Sequence, residues 1–247
     1  MKNLLLFLLF AFSFTVHAQN VNIPDTAFKQ RLIKAGFDLN KDGQIQTSEA
    51  LLVTHIEVDS DYSEDDEDAI DDRIESLEGI AAFKNLTKLN CSGNLLRALD
   101  VSKNLKLQRL LCTDNRIASL NISSNISLSE LYCDDNKITK LDISKNTNLT
   151  LLDCTRNELS SLDVSQNRLL ETLNFVRNHL TSIDVSQNPN LMDLACSYNA
   201  LISLDISNNP KIFYLSCLEN KMTKIYLPAS MKTTNFKKDE TAVWVKK

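Results

Sequence analysis

Apolar residues recur along this chain at a fixed interval, the one that separates Leu89 from Leu110. The clearest unit spans residues 128–148 and reads LSELYCDDNKITKLDISKNTN, after which the same pattern starts again. Seven such units predict a solenoid of stacked coils. One coil cannot offset the conformational entropy of its own ordering, so neighbouring coils must share a core. The repeated leucine position is occupied by Leu89, Leu110, Leu131, Leu152, Leu173, Leu194 and Leu215, and the repeated asparagine position by Asn94, Asn115, Asn136, Asn157, Asn178, Asn199 and Asn220.

Each unit contains a second, shorter rhythm. In residues 128–148 the pattern L-x-x-L-x-C-x-x-N is followed by I-x-x-L-x-I-x-x-N, so that the unit is nearly duplicated. Both halves alternate between inward and outward positions, which is strand periodicity, and neither half is long enough for an ordinary helix. We therefore expect two short strands per coil, on opposite walls, in parallel sheets whose coils lie about 4.8 Å apart.

This unit resembles leucine-rich repeats, specifically the short class found in secreted bacterial proteins. The whole chain is similar to the flavobacterial type, which joins a calcium loop to such an array, and the resemblance covers about residues 21–227. It implies a right-handed solenoid of β-rich coils that usually binds proteins or glycans. It does not name the ligand of this chain.

The domain organisation follows from where the period begins and ends. Residues 228–247 leave it, and a terminal coil needs a lid over its open core. The alternation at 243–245 predicts an edge strand there, with Trp244 covering the core. The predicted segments are a signal peptide at 1–18, a helical cap with a calcium loop at 19–58, an acidic insertion with a degenerate first repeat at 59–85, the seven repeats at 86–227 and a C-terminal cap at 228–247.

The segment 1–18 has the features of a cleaved secretory signal. Lys2 precedes an apolar run from Leu4 to Val16, and Ala18 ends the segment, so Gln19 is the expected mature N-terminus. The alternative is a membrane anchor, but the apolar run is short for a span of the bilayer. We expect a secreted or cell-envelope protein with no transmembrane segment.

A calcium-binding loop follows a predicted helix over residues 23–37. Its spacing matches the EF-hand loop, in which side-chain oxygens alternate and a glycine allows the sharp turn, here Gly43. A short exit helix is expected from Thr47 to about Val53. The alternatives are a polar turn of similar sequence, or a regulatory rather than a stabilising calcium site. The candidate ligands are Asp38, Asn40, Asp42, the carbonyl of Gln44, and Glu49.

Residues 59–72 contain nine carboxylates and no basic residue. Since the net charge of the chain is −5, the remainder carries −5 + 9 = +4. Such a run is usually a solvated, mobile loop. The alternatives are further calcium ligands or contact with a basic partner, because insertions into a solenoid often lie on its binding face.

Six cysteines share one inward position, which Phe175 occupies in another unit. A position that accepts phenylalanine is a core position, so we expect buried thiols rather than disulfides. The in-register spacing of about 4.8 Å is also longer than a disulfide prefers. The repeated asparagines should satisfy backbone groups at a tight corner, and the aspartates after the second leucine should form a solvated edge.

The outward positions of the first strand are the best evidence about a ligand. Tyrosine and arginine favour interfaces, and they concentrate over the central coils. The predicted ligand-binding residues are Tyr132, Arg156, Arg177 and Tyr198.

The sequence offers little support for catalysis or for binding of nucleic acid. After signal removal the only histidines are His55 and His179, in different coils, and no nucleophile, zinc or phosphate motif is present. The net charge of −5 argues against nucleic acid as a partner. We predict a monomeric, non-enzymatic binding module, stabilised by calcium, for a protein or glycan. The alternative is a structural or envelope-surface protein with no discrete ligand.

Overall fold

The computed structural model describes residues 19–60 and 72–247. The predicted signal peptide therefore lies outside the described residues, as does most of the acidic run, at 61–71. Across the described ranges, no helix combines the length and the apolar character needed to cross a membrane.

The main feature of the fold is a nine-stranded, all-parallel sheet with the order β1-β2-β3-β4-β5-β6-β7-β9-β11. From β2 onward to β9, each repeated leucine pairs with the equivalent leucine of the next unit. The predicted leucine-rich solenoid of parallel strands is thus confirmed. The strands are β1 (His55–Glu57), β2 (Lys88–Asn90), β3 (Arg109–Leu111), β4 (Glu130–Tyr132), β5 (Leu151–Asp153), β6 (Thr172–Asn174), β7 (Asp193–Ala195), β9 (Tyr214–Cys217) and β11 (Phe236–Lys238).

The opposite wall differs from the prediction of a second strand in every coil. Within the described chain it forms a three-stranded parallel sheet at the C-terminal end only, with β10 (Lys224–Leu227) between β8 (Ser203–Asp205) and β12 (Val243–Lys246). In the earlier described coils this wall has one isolated parallel bridge, between Leu99 and Leu120, and otherwise turns. In one such coil Asp142 Oδ1 accepts from the amide of Ser144 at 2.9 Å, and the amide of Asn146 donates to Ile143 O at 3.0 Å. The equivalent two bonds also follow β8, at Ser207 and Asn209, so they occur with and without a strand on this wall.

One continuous apolar core runs through the coils. The six cysteines are free and fully buried within it, as predicted, and Phe175 fills the same position in its own coil. Trp244 is partly buried against the core, and its ring lies 5.9 Å from that of Phe236. The C-terminal end of the core is therefore covered in the way that the alternation at 243–245 predicts.

The predicted asparagine ladder stabilises one corner of every coil. Asn136 Nδ2 donates to the carbonyls of Cys112, Cys133 and Asp134, at 2.9, 3.2 and 3.0 Å. Its Oδ1 accepts from the amide of Ile117 at 3.0 Å. One side chain thus satisfies four backbone groups of the turn.

A second asparagine ladder, which the sequence analysis missed, lies at the opposite corner. Asn146 Nδ2 donates to the carbonyls of Ile122 and Asn125, at 3.0 and 2.9 Å. Its members are completely buried, so these amide groups cannot exchange their partners for water. They are Asn104, Asn125, Asn146, Asn167, Asn188 and Asn209.

The N-terminal cap contains two helices, α1 (Thr26–Lys34) and α2 (Thr47–Ala50), both shorter than predicted. Asp25 caps α1 by accepting from the amide of Phe28 at 2.9 Å, and its other oxygen accepts from two backbone amides that lead into the first coil, at 75 and 76. Strand β1 then joins the cap to the main sheet by pairing with β2. The cap and the solenoid thus share one sheet.

Candidate ligand-binding face and calcium loop

The outward side chains of β2–β7 and β9, with the two residues that precede each ladder asparagine, form a surface that we call the first-strand face. Along each strand the central residue is buried and its neighbours are partly exposed. Successive strands therefore present their outward side chains in rows that cross the coils.

The row next to the ladder asparagines has left-handed backbone geometry in every coil. A side chain at such a position costs about 1 kcal/mol relative to glycine. Glycine occurs once, at Gly93, where the carbonyl group of Ser60 fills the space of a Cβ atom. The other six positions carry side chains, with φ between 51° and 58°: Asp114, Asp135, Arg156, Arg177, Tyr198 and Glu219.

Three of the four predicted ligand-binding residues occupy this row in consecutive coils. Arg156 Nη1 pairs with Asp135 of the preceding coil at 3.2 Å, and both side chains are partly exposed. The guanidinium carbon of Arg177 lies 4.7 Å from the centre of the Tyr198 ring, and that tyrosine is 48% exposed. The structure therefore brings Arg177 and Tyr198 into contact and places Arg156 one coil away.

Tyr132 lies in a different row, beside the centre of β4. Its ring contacts the guanidinium of Arg109 at 5.5 Å, and Arg109 Nε lies 3.0 Å from Glu130 Oε2. Desolvation and the charge of Glu130 raise the pKa of the Tyr132 hydroxyl. Arg109 and Glu130 belong to the face but were missed from the sequence, where their equivalent positions in consecutive units were the available signal.

Two carboxyl groups of the face have raised pKa values. Asp134 is half-buried and accepts from the hydroxyl of Thr113 at 2.6 Å. Burial and the charges of Asp153 and Asp135 raise the pKa of its carboxyl group above the ordinary value. Burial also raises the pKa of Asp193, three coils later. The face thus carries carboxylates both before and after the coils of Arg156 and Arg177.

The ends of the acidic run are fixed to the cap by one side chain. Arg31 donates to the carbonyls of Val58 and Asp59, at 2.9 and 2.6 Å, and pairs with Asp72 at 2.9 Å. The amide of Ser60 also donates to Ser92 O at 3.0 Å, next to Gly93. The described ends of the run, at Ser60 and Asp72, therefore lie at the first-coil end of the first-strand face.

The loop predicted to bind calcium is folded around its own carboxylates. Asp38 Oδ2 accepts from the amide of Gly43 at 2.9 Å, and Asp42 Oδ1 accepts from the amide of Gln44 at 2.9 Å. Asn40 Oδ1 accepts from the amide of Asp42 at 3.0 Å. Although desolvation raises it, the hydrogen bonds from Gln44, Gln46 and Asn40 hold the pKa of Asp42 below its ordinary value.

Glu49 closes the loop from the exit helix. Its two carboxylate oxygens accept from the amides of Leu39 and Gln46, at 2.7 and 2.8 Å. Glu49 is 6% exposed and Asp38 is 9% exposed, yet within the described chain neither forms an ion pair with a lysine or arginine. Buried carboxylates without a cationic side chain fit a site for a hard, oxygen-seeking cation.

Two further observations bear on this loop. Gln44, whose backbone carbonyl is a predicted ligand, accepts from Lys29 Nζ at 2.6 Å through its side chain. In residues 19–60 and 72–247, no three His, Cys, Asp or Glu side chains form a group that could hold a metal ion. The three predicted carboxylate ligands Asp38, Asp42 and Glu49 thus do not form such a group in this structure.

Comparisons with known proteins identify the fold. No family model and no curated protein matches the chain. Among solved structures, the functional domain of InlJ from Listeria monocytogenes, described as including a cysteine ladder, is 26% identical with a TM-score of 0.51, and the match covers 90% of this chain and 62% of that one. This chain thus spans less than two thirds of that domain.

Two more distant structures show the same architecture. An internalin (inlF) from Listeria monocytogenes is 16% identical with a TM-score of 0.60, over 95% of this chain and 79% of that one. The ectodomain of the Arabidopsis thaliana receptor kinase GASSHO1/SCHENGEN3, solved in complex with CASPARIAN STRIP INTEGRITY FACTOR 2, is 18% identical with a TM-score of 0.58, over 67% and 23% of the two chains. The chain has a leucine-rich repeat fold.

Proposed function

We propose that this chain is an exported, non-enzymatic module that binds a protein ligand through the first-strand face. The observation that carries this proposal is the left-handed row. Six of its seven positions hold a side chain where glycine would be less strained, and these include two arginines and a tyrosine in consecutive coils. Strained backbone that persists in a structure is typical of functional surfaces.

The structural neighbours support this proposal at the level of the fold. The plant receptor ectodomain was solved in complex with a named factor, so this type of solenoid serves in that protein as a receptor surface. Proteins of this kind present a long surface on which several coils contribute side chains to one ligand. Export is proposed from the signal-like sequence of residues 1–18.

We propose calcium as the stabilising ion of the cap. Asp38, Asn40, Asp42, the carbonyl of Gln44, and Glu49 would hold it, and the bound charge would neutralise the buried carboxylates. The same carboxylates order the loop between α1 and α2, and β1 joins the cap to the sheet. A stable cap protects the first coil, whose core has no other neighbour on that side.

The experiment compares two variants that place arginines on opposite walls. Ala195→Arg with Ser216→Arg fills outward positions of the first-strand face, whereas Ser161→Arg with Ser182→Arg alters exposed positions of the second wall. Each protein is immobilised in calcium and exposed to conditioned medium and envelope extract. Support requires a captured protein that is lost with the first variant and retained with the second.

Two results would contradict the proposal. Equal capture by both variants would place the contact elsewhere, and absence of any captured protein or glycan would favour a structural envelope protein. A chelator then distinguishes two roles of calcium. If it elutes the captured protein, the contact depends on calcium; if it only lowers the melting temperature of the immobilised protein, calcium stabilises the fold alone.

A further inference from the structure

The cationic side chains of the first-strand face differ in their partners. There are four of them in β2–β7, β9 and the left-handed row. Lys88 pairs with Glu57 at 2.6 Å, Arg109 with Glu130 at 3.0 Å, and Arg156 with Asp135 at 3.2 Å. Each of these carboxylates lies on the adjacent strand or coil, so three of the four positive charges are already neutralised within the face.

Arg177 is the exception. Among the described residues, its guanidinium forms no ion pair and donates no hydrogen bond, and its recorded contact is the ring of Tyr198 at 4.7 Å. The reason lies in the repeat: the same position holds Arg156 one coil earlier and Tyr198 one coil later. A guanidinium has five N–H donors, and stacking on an aromatic ring does not give them the hydrogen bonds that an oxygen acceptor would.

Arg177 is held in a defined position despite this. Its amide donates to Ser197 O at 2.9 Å, and the amide of Asn178 donates to Tyr198 O at 3.3 Å, so the two coils are tied together on both sides of the contact. An arginine that rests on an aromatic ring loses less side-chain entropy when it binds a ligand than a freely moving one does.

Apolar and acidic side chains both lie near this pair. Val176 and Leu218 are half-buried in the position before the left-handed row, and the outward residues of β7 are Asp193 and Ala195. Glu219 is one coil beyond Tyr198 and makes no recorded contact with Arg177. Arg177 is itself exposed, so a ligand can reach its guanidinium from solvent.

We infer that, within the binding role proposed above, Arg177 recognises a carboxylate group of a polypeptide ligand while Tyr198 holds the arginine in place. The planar guanidinium matches a carboxylate with two parallel hydrogen bonds. Val176, Tyr198 and Leu218 offer the apolar contacts that peptide side chains use. The chain as a whole carries a charge of −5, so its overall electrostatic field repels an acidic ligand. Binding of an acidic group must therefore come from its direct contact with Arg177.

The test selects ligands from a library of random peptides displayed on phage. The three proteins are residues 19–247 of the wild type, Arg177→Gln, and Arg168→Gln as the matched control. Arg168 is an exposed arginine outside the face, with one weak contact to Gln187 Oε1 at 3.4 Å. We expect Asp or Glu to be enriched in peptides selected on the wild type and on Arg168→Gln, and not on Arg177→Gln.

Synthetic versions of one selected peptide define the group that binds. The dissociation constant should rise roughly tenfold when Arg177 becomes glutamine, or when the acidic residue becomes Gln or Asn. A rise on amidation of the C-terminus instead would identify the terminal carboxylate. Circular dichroism checks that each variant folds.

Three outcomes would overturn the inference. These are peptides whose binding needs neither an acidic side chain nor a terminal carboxylate, equal affinity of Arg177→Gln and wild type, or Arg177-dependent binding of polygalacturonate with no selectable peptide. The face-blocked variant Ala195→Arg with Ser216→Arg separates the two proposals. If it abolishes peptide binding and Arg177→Gln does not, the face is the site and the role of Arg177 is wrong; if neither variant weakens binding, the binding face itself is wrong.

Discussion

Gly93 lies directly against the backbone carbonyl of Ser60, which occupies the space that a Cβ atom on residue 93 would need. The equivalent residue in the next coil is Asp114, whose side chain is exposed. The same left-handed backbone position therefore has no room for a side chain in the first coil and has room for one in the second.

Gly93→Asp, which copies the residue of the next coil, should lower the free energy of unfolding by about 2 kcal/mol or more, because Ser60 must move. Asp114→Gly should change it by less than about 1 kcal/mol, since φ of 51° suits glycine. Urea denaturation of both variants measures the difference. Equal effects would mean that the segment at Ser60 does not pack on the first coil.

Calcium should raise the melting temperature of the wild type, and Glu49→Gln should remove that rise. Both carboxylate oxygens of Glu49 are used within the loop, and the side chain is buried. Differential scanning fluorimetry with calcium at about 1 mM or with a chelator measures the shift. Glu158→Gln, at an exposed glutamate, is the control. An unchanged calcium response in Glu49→Gln would show that the loop is not the site.

The six thiols should be unreactive in the folded protein. Burial and the charge of Asp59 raise the pKa of Cys91 to about 12, and burial raises the pKa of Cys133 well above its ordinary value. A thiol reagent at pH 8 should label no cysteine before denaturation and six after it. Rapid labelling of the native protein would contradict this, as would a fall in melting temperature on adding a reducing agent.

The pH dependence of the same cysteines has a defined sign. Since the pKa is raised by folding, this contribution to stability is fully present below the ordinary pKa of 9.0 and is lost as the pH rises toward about 12. Cys133→Leu should fold, because the position already accepts phenylalanine at Phe175. The loss above pH 9 should be smaller in that variant.

Two aspartates should respond to the same substitution with opposite signs. Folding raises the pKa of Asp134, so its carboxylate destabilises the protein at pH 7 and the penalty disappears as the pH falls below 3.8. Asp134→Asn should therefore raise the melting temperature at pH 7. The hydrogen bond from the Ser144 amide lowers the pKa of Asp142, so its contribution is present above pH 3.8 and is lost on acidification. Asp142→Asn should lower the melting temperature at pH 7, and a change of the same sign in both variants would refute this account.

The fixed period of the repeat was sufficient to predict the sheet, its register and the buried cysteines. It was not sufficient for the second wall, because the alternation around Leu141 looks the same whether the backbone forms a ladder or a turn. An aspartate two positions before a serine does not separate the two cases either, because the serine amide donates to the aspartate at Asp142, where no strand forms, and at Asp205, which ends β8.

The contacts of the candidate face were harder to predict. The ion pair of Asp135 and Arg156 becomes visible only when positions one period apart are compared. The same comparison is needed to see that Arg177 has an arginine and a tyrosine, Arg156 and Tyr198, and not a carboxylate, at the equivalent positions of its two neighbouring coils. The second asparagine ladder had the same signal as the first and was overlooked. Left-handed geometry at Arg156 and Arg177 could not be inferred from those residue types, which rarely adopt it.

The side-chain hydrogen bonds of an interior ladder asparagine reach its own coil and the preceding coil, as Asn136 shows with Cys133 and Cys112, and its backbone amide reaches the following coil at Arg156 O. None of these hydrogen bonds depends on how many coils the solenoid contains. Unequal recombination that adds or removes a whole unit of the gene therefore leaves equivalent partners on both sides of the junction. Evolution can lengthen or shorten the ligand-accessible surface of such a chain without redesigning its folding, provided that the two ends remain covered.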